Sequence, residues 1–373
     1  MSEHHQGSDS GSESDNRDAD EQRGVHDEDM LSARSRGRVW PWFVVMVAIV
    51  VAIAAFVVPL PYYVDGPGVV RATQSRVSVS GHPAYESKGE IFFTTVSERR
   101  ATPYLLLQAW LDEAIDTLPE KVATPTGDRD AERRAEQQQM DRSKLTSIEV
   151  AFRVLDLPLT ITGTGAFINE VGKDYPAAAQ LRAGDVITAV DGSPVTVVGD
   201  LRPLLADKPV GATVQLAVRR DGTTSDVTVE LGRNPDDNSH GYLGVVPSTA
   251  DEDVDFHFDI ELDSGSVIGP SAGLAWTLGV IDRLTPGDLT DGKKVAVTGT
   301  IAPDGSVGPI GGIGQKVVGA KEAGATLFLY PAATSAKDVK WLKRLAGDDI
   351  RLEPVATVED ALKVLDPTGL GAD

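Results

Sequence analysis

The sequence predicts a multidomain chain, with one transmembrane helix followed by a β-rich domain and then an α/β domain. Residues 40–60, WPWFVVMVAIVVAIAAFVVPL, carry no charge, and about twenty apolar residues suffice to span a bilayer as a helix. Residues 157–231 turn to short alternating strands divided by Gly/Asp turns, the texture of a small β domain. From Phe256 to Leu365, strand-like and helix-like runs alternate, as in an α/β fold.

Composition narrows the function classes. A chain of 373 residues has room for two globular domains with appendages. Its net charge of −21 argues against a nucleic-acid partner, because phosphate binding needs a basic surface. Cysteine is absent, which removes disulfides, thiolate metal sites and cysteine nucleophiles together. No metal and no cofactor is expected.

Residues 1–38 are rich in Ser, Asp, Glu and Gly and have little to bury, so they read as an acidic tail with no fold of its own. The apolar segment, 39–61, has Trp40 and Trp42 at one end and Tyr62 and Tyr63 at the other, matching two interfacial belts. A cleaved signal peptide fits less well: the run is long, follows a long acidic tail and lacks a clean A-x-A site. Arg34, Arg36 and Arg38 precede the span. The expected topology is therefore a single pass through the cell membrane, with the N-terminus cytoplasmic and the rest extracytoplasmic.

Residues 62–156 read as a mixed α/β packing or spacer region. Strands are expected at Val69–Val79 and Glu90–Val96 and helices at Leu105–Leu118 and Glu132–Leu155, with a loop at 124–128. In the next domain, 157–233, Ala166–Val171 reads as a strand, and Val214–Arg219 pairs with Ser225–Leu231 across RDGTT. GAFINEV followed by PAAAQLRAGDVITAVDG resembles a PDZ domain. The resemblance implies a fold that adds an extended peptide to a sheet edge while a nearby loop of N–H groups captures a terminal carboxylate. Gly163, Thr164, Gly165, Ala166 and Phe167 are the peptide-binding residues it implies. A PDZ fold that merely packs against its neighbour is the plainer alternative.

The last domain, 234–366, precedes a short tail, 367–373. Gly269-Pro-Ser271-Ala-Gly273 fits G-x-S-x-G, which places a serine on a sharp strand-to-helix turn. A serine that only caps a helix would look the same. The usual hydrolase order needs a histidine after the serine, and none follows Ser271; His257 lies shortly before it. Lysine is the known substitute base, and it must be buried to be neutral. Lys293 and Lys294 follow a turn, Lys321 stands beside Glu322, and Lys337, Lys340 and Lys343 mark a polar helix face. Lys316 opens a helix straight after GPIGGIG, among Ile313, Val317, Val318 and Ala320. An ordinary first-turn lysine remains the alternative at this point.

IGPSAGLAWTLGVID, then VAVTGTIAPDGSVGPIGGIGQKVVGAKEAGATLFLYP, resemble the two signature blocks of the Lon protease family. The resemblance implies Ser271 as nucleophile, Lys316 as general base and Thr298 as the hydroxyl beside the lysine. It also implies oxyanion donors at and just before Ser271. Ile268 stands where most Lon enzymes have an acid, and Thr300 replaces a family glutamate. No G-x-x-x-x-G-K-[ST] occurs, so no ATPase is expected. Anchor, PDZ and Lon-type domain together resemble the membrane-bound, PDZ-containing Lon-like proteases of bacteria. The expected function is an ATP-independent serine endopeptidase acting on protein or peptide substrates, with the PDZ domain recruiting them. Lon-type domains often form hexameric rings, which implies a homo-oligomer. The alternative is a non-catalytic membrane-anchored PDZ scaffold with a degenerate protease fold.

Overall fold

The computed structural model describes residues 40–234 and 240–366. The acidic tail with its three arginines, most of the expected linker at 233–241 and the C-terminal tail lie outside the described residues. The chain forms two compact units, one of residues up to Gly66 with Ser97–Gly127, the other of Pro67–Val96 with everything from Asp128 on.

In the first unit, Trp40–Val57 is one helix of 18 residues, long and apolar enough to cross a membrane. At 1.5 Å per residue it spans about 27 Å. Trp40 and Trp42 are exposed, as interfacial residues would be, but of the tyrosine pair only Tyr62 is exposed and Tyr63 is buried. Tyr62–Asp65 pairs antiparallel with Asp116–Pro119. The helix Pro103–Leu111 begins with Thr102 capping the Leu105 N–H and proline at its first position. It stops seven residues short of Leu118, the end expected from the sequence. The Asp112 carboxylate accepts the Ala114 N–H at 2.9 Å and turns the chain into the Asp116–Pro119 strand.

In the second unit, strands are ordered Arg351–Val355, Leu327–Pro331, Lys294–Val297, the 90–96 part of the Glu90–Arg100 strand, then the 67–72 part of the Tyr62–Ala72 strand. The pairings of Lys294–Val297 with both neighbours and of Leu327–Pro331 with Arg351–Val355 are parallel. Alternation along these strands fills two layers. Phe93, Val295, Val297 and Leu329 face a core with Trp276 and Leu278 of the helix Gly273–Leu284 and Ile148 and Phe152 of the long helix Arg129–Val154. Phe92, Ala296, Phe328 and Tyr330 face the opposite layer, with Val317 and Ala320 of the helix Ile313–Glu322 and Leu342 of Ala336–Ala346.

Residues 67–96 and the long helix, set apart as a spacer in the sequence, are thus part of this sheet and core. The reason is visible in IFF: apolar residues point to both faces, as a fully covered parallel strand requires. Of the expected strand 256–262 only Asp259–Leu262 forms. His257 adopts φ 60° and breaks the run. Phe256 and Phe258 still pack on Phe152, at ring separations of 5.0 and 4.9 Å.

The β-rich domain has its own core, built from Ile168, Ile187, Leu201, Leu216, Val218 and Val229, joined by Leu243 and Val245. The hairpin Thr213–Arg220 with Thr223–Glu230 forms as the sequence indicates. Asp185 of LRAGD is fully buried and takes two 2.6 Å hydrogen bonds from Arg220 and one of 2.9 Å from the Arg182 N–H. Burial alone would raise its pKa. These donors outweigh it and hold the carboxyl below its ordinary value.

Candidate active site

Ser271 lies in a single 3₁₀ turn, Pro270–Ala272, that feeds the helix Gly273–Leu284. The turn is tight because Gly273 has no Cβ: one would meet Ile301 Cγ2 at 2.7 Å, and the Ile301 N and Ser143 Oγ at 2.9 Å. The long helix braces the turn. Ser143 Oγ donates to the Pro270 carbonyl at 3.2 Å, Ser147 Oγ reaches the Gly273 carbonyl at 3.0 Å, and the Gly269 N–H donates to the Glu136 carbonyl at 3.2 Å. Nothing in the sequence marked these serines, since a helix-interior serine usually serves only its own backbone.

Lys316 comes from the opposite layer. Its helix starts at Ile313 from Gly312, which holds φ 66°, and a Cβ there would strike Val96 Cγ2 at 2.4 Å. Thr298 follows the strand Lys294–Val297 and is fully buried. The two helices therefore bring serine and lysine together past the carboxyl end of a parallel strand, the usual place for a site in such sheets. The Lys316 Nζ lies 2.9 Å from Ser271 Oγ and 3.2 Å from Thr298 Oγ1. Thr298 Oγ1 in turn donates to the Ser271 carbonyl at 3.3 Å, and the Gly299 N–H reaches the same carbonyl at 3.0 Å.

Lys316 is 3% exposed and Ser271 is half-buried. Burial pushes the lysine down from 10.5 to about 7, with no charged neighbour contributing. The structure therefore brings together all three residues singled out in the last domain. His257 is elsewhere, exposed and 3.6 Å from Asp255. Lys321 pairs with Asp349 at 2.9 Å and with the Leu345 carbonyl at 3.0 Å; the sequence had suggested Glu322. The expected oxyanion donors are fewer than supposed, because Pro270 has no N–H and that of Gly269 is directed to Glu136.

Among known proteins, residues 243–366 match the Lon protease (S16) C-terminal proteolytic domain, and residues 141–231 match the PDZ domain. The chain carries a PDZ domain and a Lon-type proteolytic domain. Lon protease of Phenylobacterium zucineum is 38% identical over 126 residues, and Lon protease of Vibrio parahaemolyticus 30% over 155. The aligned parts are 34% and 38% of this chain but only 15% and 19% of those enzymes. Among solved structures, the PDZ domain of an SdrC-like protein from Listeria monocytogenes is 26% identical, with a TM-score of 0.21, covering 22% of this chain and 87% of that one. S16 proteases are serine peptidases, so a serine nucleophile is the chemistry to look for here.

In the PDZ domain the expected peptide-binding edge is occupied by the chain itself. Ala166–Val171 pairs with Val186–Val190 on one side and with Val245–Thr249 on the other, Ala166 opposite Thr249 and Phe167 opposite Ser248. The Thr164 N–H donates to the Ala250 carbonyl at 2.9 Å and the Gly165 N–H to the Thr196 carbonyl at 3.0 Å. Thr164 Oγ1 donates to the Asp251 carboxylate at 2.5 Å, and Arg219 lies 3.6 Å from that carboxylate. A Cβ on Gly163 would run into Thr249 and Ala250. Residues 245–249 thus take the strand position that the resemblance assigned to a bound peptide, and the Thr164 and Gly165 N–H groups are taken up by carbonyls of the chain itself.

Proposed function

We propose that this protein is a membrane-anchored serine endopeptidase in which Ser271 is the nucleophile and Lys316 the general base, working without an ATPase of its own. The observation that supports it is the contact between a buried lysine amine near neutral pKa and the serine hydroxyl, 2.9 Å apart. A lysine serves as a base only when desolvation leaves it neutral at working pH.

In this reading the Lys316 lone pair accepts the Ser271 proton as Oγ attacks the scissile carbonyl. The Ser271 N–H donates to the developing oxyanion. The ammonium then gives its proton to the leaving amine, and the same amine activates the water that releases the acyl-enzyme. Thr298 is a positioning residue. Its hydroxyl proton goes to the Ser271 carbonyl, so its lone pair faces the amine and holds it beside Oγ.

The PDZ domain recruits protein substrates by exchanging Val245–Thr249 for an extended segment of the substrate, because the edge is otherwise filled. The helix Trp40–Val57 holds the enzyme in the membrane, with the catalytic domain extracytoplasmic. Ile268, in place of the acid usual in Lon enzymes, favours the rival reading of a non-catalytic scaffold. A fluorophosphonate probe on the purified full chain separates the two. Mapping of the adduct to Ser271, and its loss in Ser271→Ala, is the expected result. Absence of any adduct, together with absence of peptide hydrolysis, supports the scaffold.

A further inference from the structure

The helix Pro103–Leu111 is apolar on nearly every side, yet it buries none of them fully. None of its nine residues is buried. Trp110 is 81% exposed, Leu111 69%, Leu107 53% and Tyr104 37%, while Leu105, Leu106, Gln108 and Ala109 are half-buried. At helical spacing Tyr104, Leu107, Trp110 and Leu111 share one face, and apart from Tyr104, which rests on Phe56, that face is turned away from the unit to which the helix belongs. A surface helix in water does the reverse. A contiguous apolar face of this kind marks an interaction surface.

The place of this helix in the first unit says what the surface meets. Ala101, two residues before it, accepts from the Leu60 N–H and donates to the Tyr62 carbonyl, each at 2.8 Å. Tyr104 stacks on Phe56, with ring centroids 4.4 Å apart. Phe56 is in the last turn of Trp40–Val57, so the exposed face starts level with the point where that helix ends. Tryptophan and tyrosine favour this depth, where the ring is buried and the N–H or O–H stays wet. Tyr63, which the sequence offered for this role, is turned inward. Asp112 and Glu113 follow the helix directly and suit the aqueous side.

We infer that Pro103–Leu111 lies along the bilayer interface, with Tyr104, Leu107, Trp110 and Leu111 in the lipid. It forms a second membrane contact beside the spanning helix and fixes the tilt of its unit against the surface. The inference rests on the reading that Trp40–Val57 spans a membrane. The partner is lipid, because the apolar face continues directly from an apolar helix end; a second copy of the chain would be the other occupant.

The absence of cysteine makes the test direct. Leu107→Cys, Leu111→Cys and Ile49→Cys are made singly in the full chain, spin-labelled and reconstituted in phosphatidylcholine vesicles. Collision rates with oxygen, which concentrates in lipid, are compared with those of a water-soluble nickel chelate. Oxygen should dominate at residues 107 and 111 by about threefold or more, and at residue 49 by a larger ratio, as expected of interfacial and spanning positions. If residue 49 is lipid-exposed while nickel dominates at 107 and 111, the inference is wrong and the anchor stands. Low access to both reagents at 107 and 111, with spin–spin broadening between labels, assigns the face to a second copy and also overturns it. Nickel dominance at residue 49 overturns the anchor, and this inference with it.

Discussion

The rate of peptide hydrolysis should follow the neutral fraction of Lys316. Burial brings this amine from 10.5 to about 7, so roughly 9% of it is neutral at pH 6, half at pH 7 and about 91% at pH 8. The expected kcat/KM therefore climbs about tenfold from pH 6 to pH 8 and then levels off. An unburied lysine would be neutral in only about 3 molecules in 10,000 at pH 7, and its rate would keep rising tenfold per pH unit towards pH 10. The assay is hydrolysis of a short unstructured fluorogenic peptide at constant ionic strength, with the fluorescence of buried Trp276 reporting that the fold persists. A rate still climbing between pH 8 and pH 10 would refute the buried-base argument. Stability must move with the same group. The folded pKa lies below the unfolded one, so the unfolded chain binds more protons between pH 7 and 10.5, and stability rises with pH through that window. Below it, ionisation works against the fold by up to about 5 kcal/mol at 1.36 kcal/mol per pH unit. Lys316→Met should thus raise the unfolding temperature at pH 7 while abolishing turnover.

Gly273→Ala should cost about 1–3 kcal/mol of stability and most of the activity, since the new methyl meets the Ile301 backbone; unchanged melting and turnover would contradict the tight packing described. Asp185→Asn should lower stability at pH 7, because the buried position loses the charge-assisted bonds it takes from Arg220. The wild type should lose that contribution only in acid, as pH falls through the lowered pKa of Asp185, which urea titrations across pH will reveal. For the PDZ edge, Phe167→Cys with Ser248→Cys places two cysteines directly opposite each other. Oxidation should leave cleavage of a short peptide intact and suppress cleavage of a protein substrate, with reduction restoring it. Equal protein cleavage in both states would mean that substrates do not use this edge.

The meeting of Ser271 and Lys316 was legible from two motif blocks that resemble a known family in order and spacing, whereas the residues alone left an ordinary first-turn lysine open. The parts that escaped the sequence depend on non-local pairing. Nothing in VVPST marks it as the strand that fills the edge beside Ala166–Val171, because strand partners are set by tertiary fit and not by propensity. Likewise Lys321 has an acidic neighbour in Glu322, yet a helix directs adjacent residues to different faces, and Asp349 from beyond the next helix becomes its partner. The Ser143 and Ser147 brace is a contact between helices more than 120 residues apart. The fold of the last domain was readable from its alternating elements, but its sheet borrows two strands from before the PDZ domain, and spacing along the chain could not announce that.

Turnover of a short peptide at pH 9 by Lys316→Arg, beside Lys321→Ala and Ser271→Ala, tests the central claim most directly. Arginine keeps charge and approximate length but stays protonated at this pH. The account predicts turnover below about 1% of wild type for Lys316→Arg and Ser271→Ala, the scale on which general-base loss is felt. Lys321→Ala, which gives up a half-exposed ion pair with Asp349, should keep more than about half, as loss of such pairs usually costs little. Substantial turnover by Lys316→Arg, or its loss in Lys321→Ala alone, would contradict the assignment of Lys316 as the base.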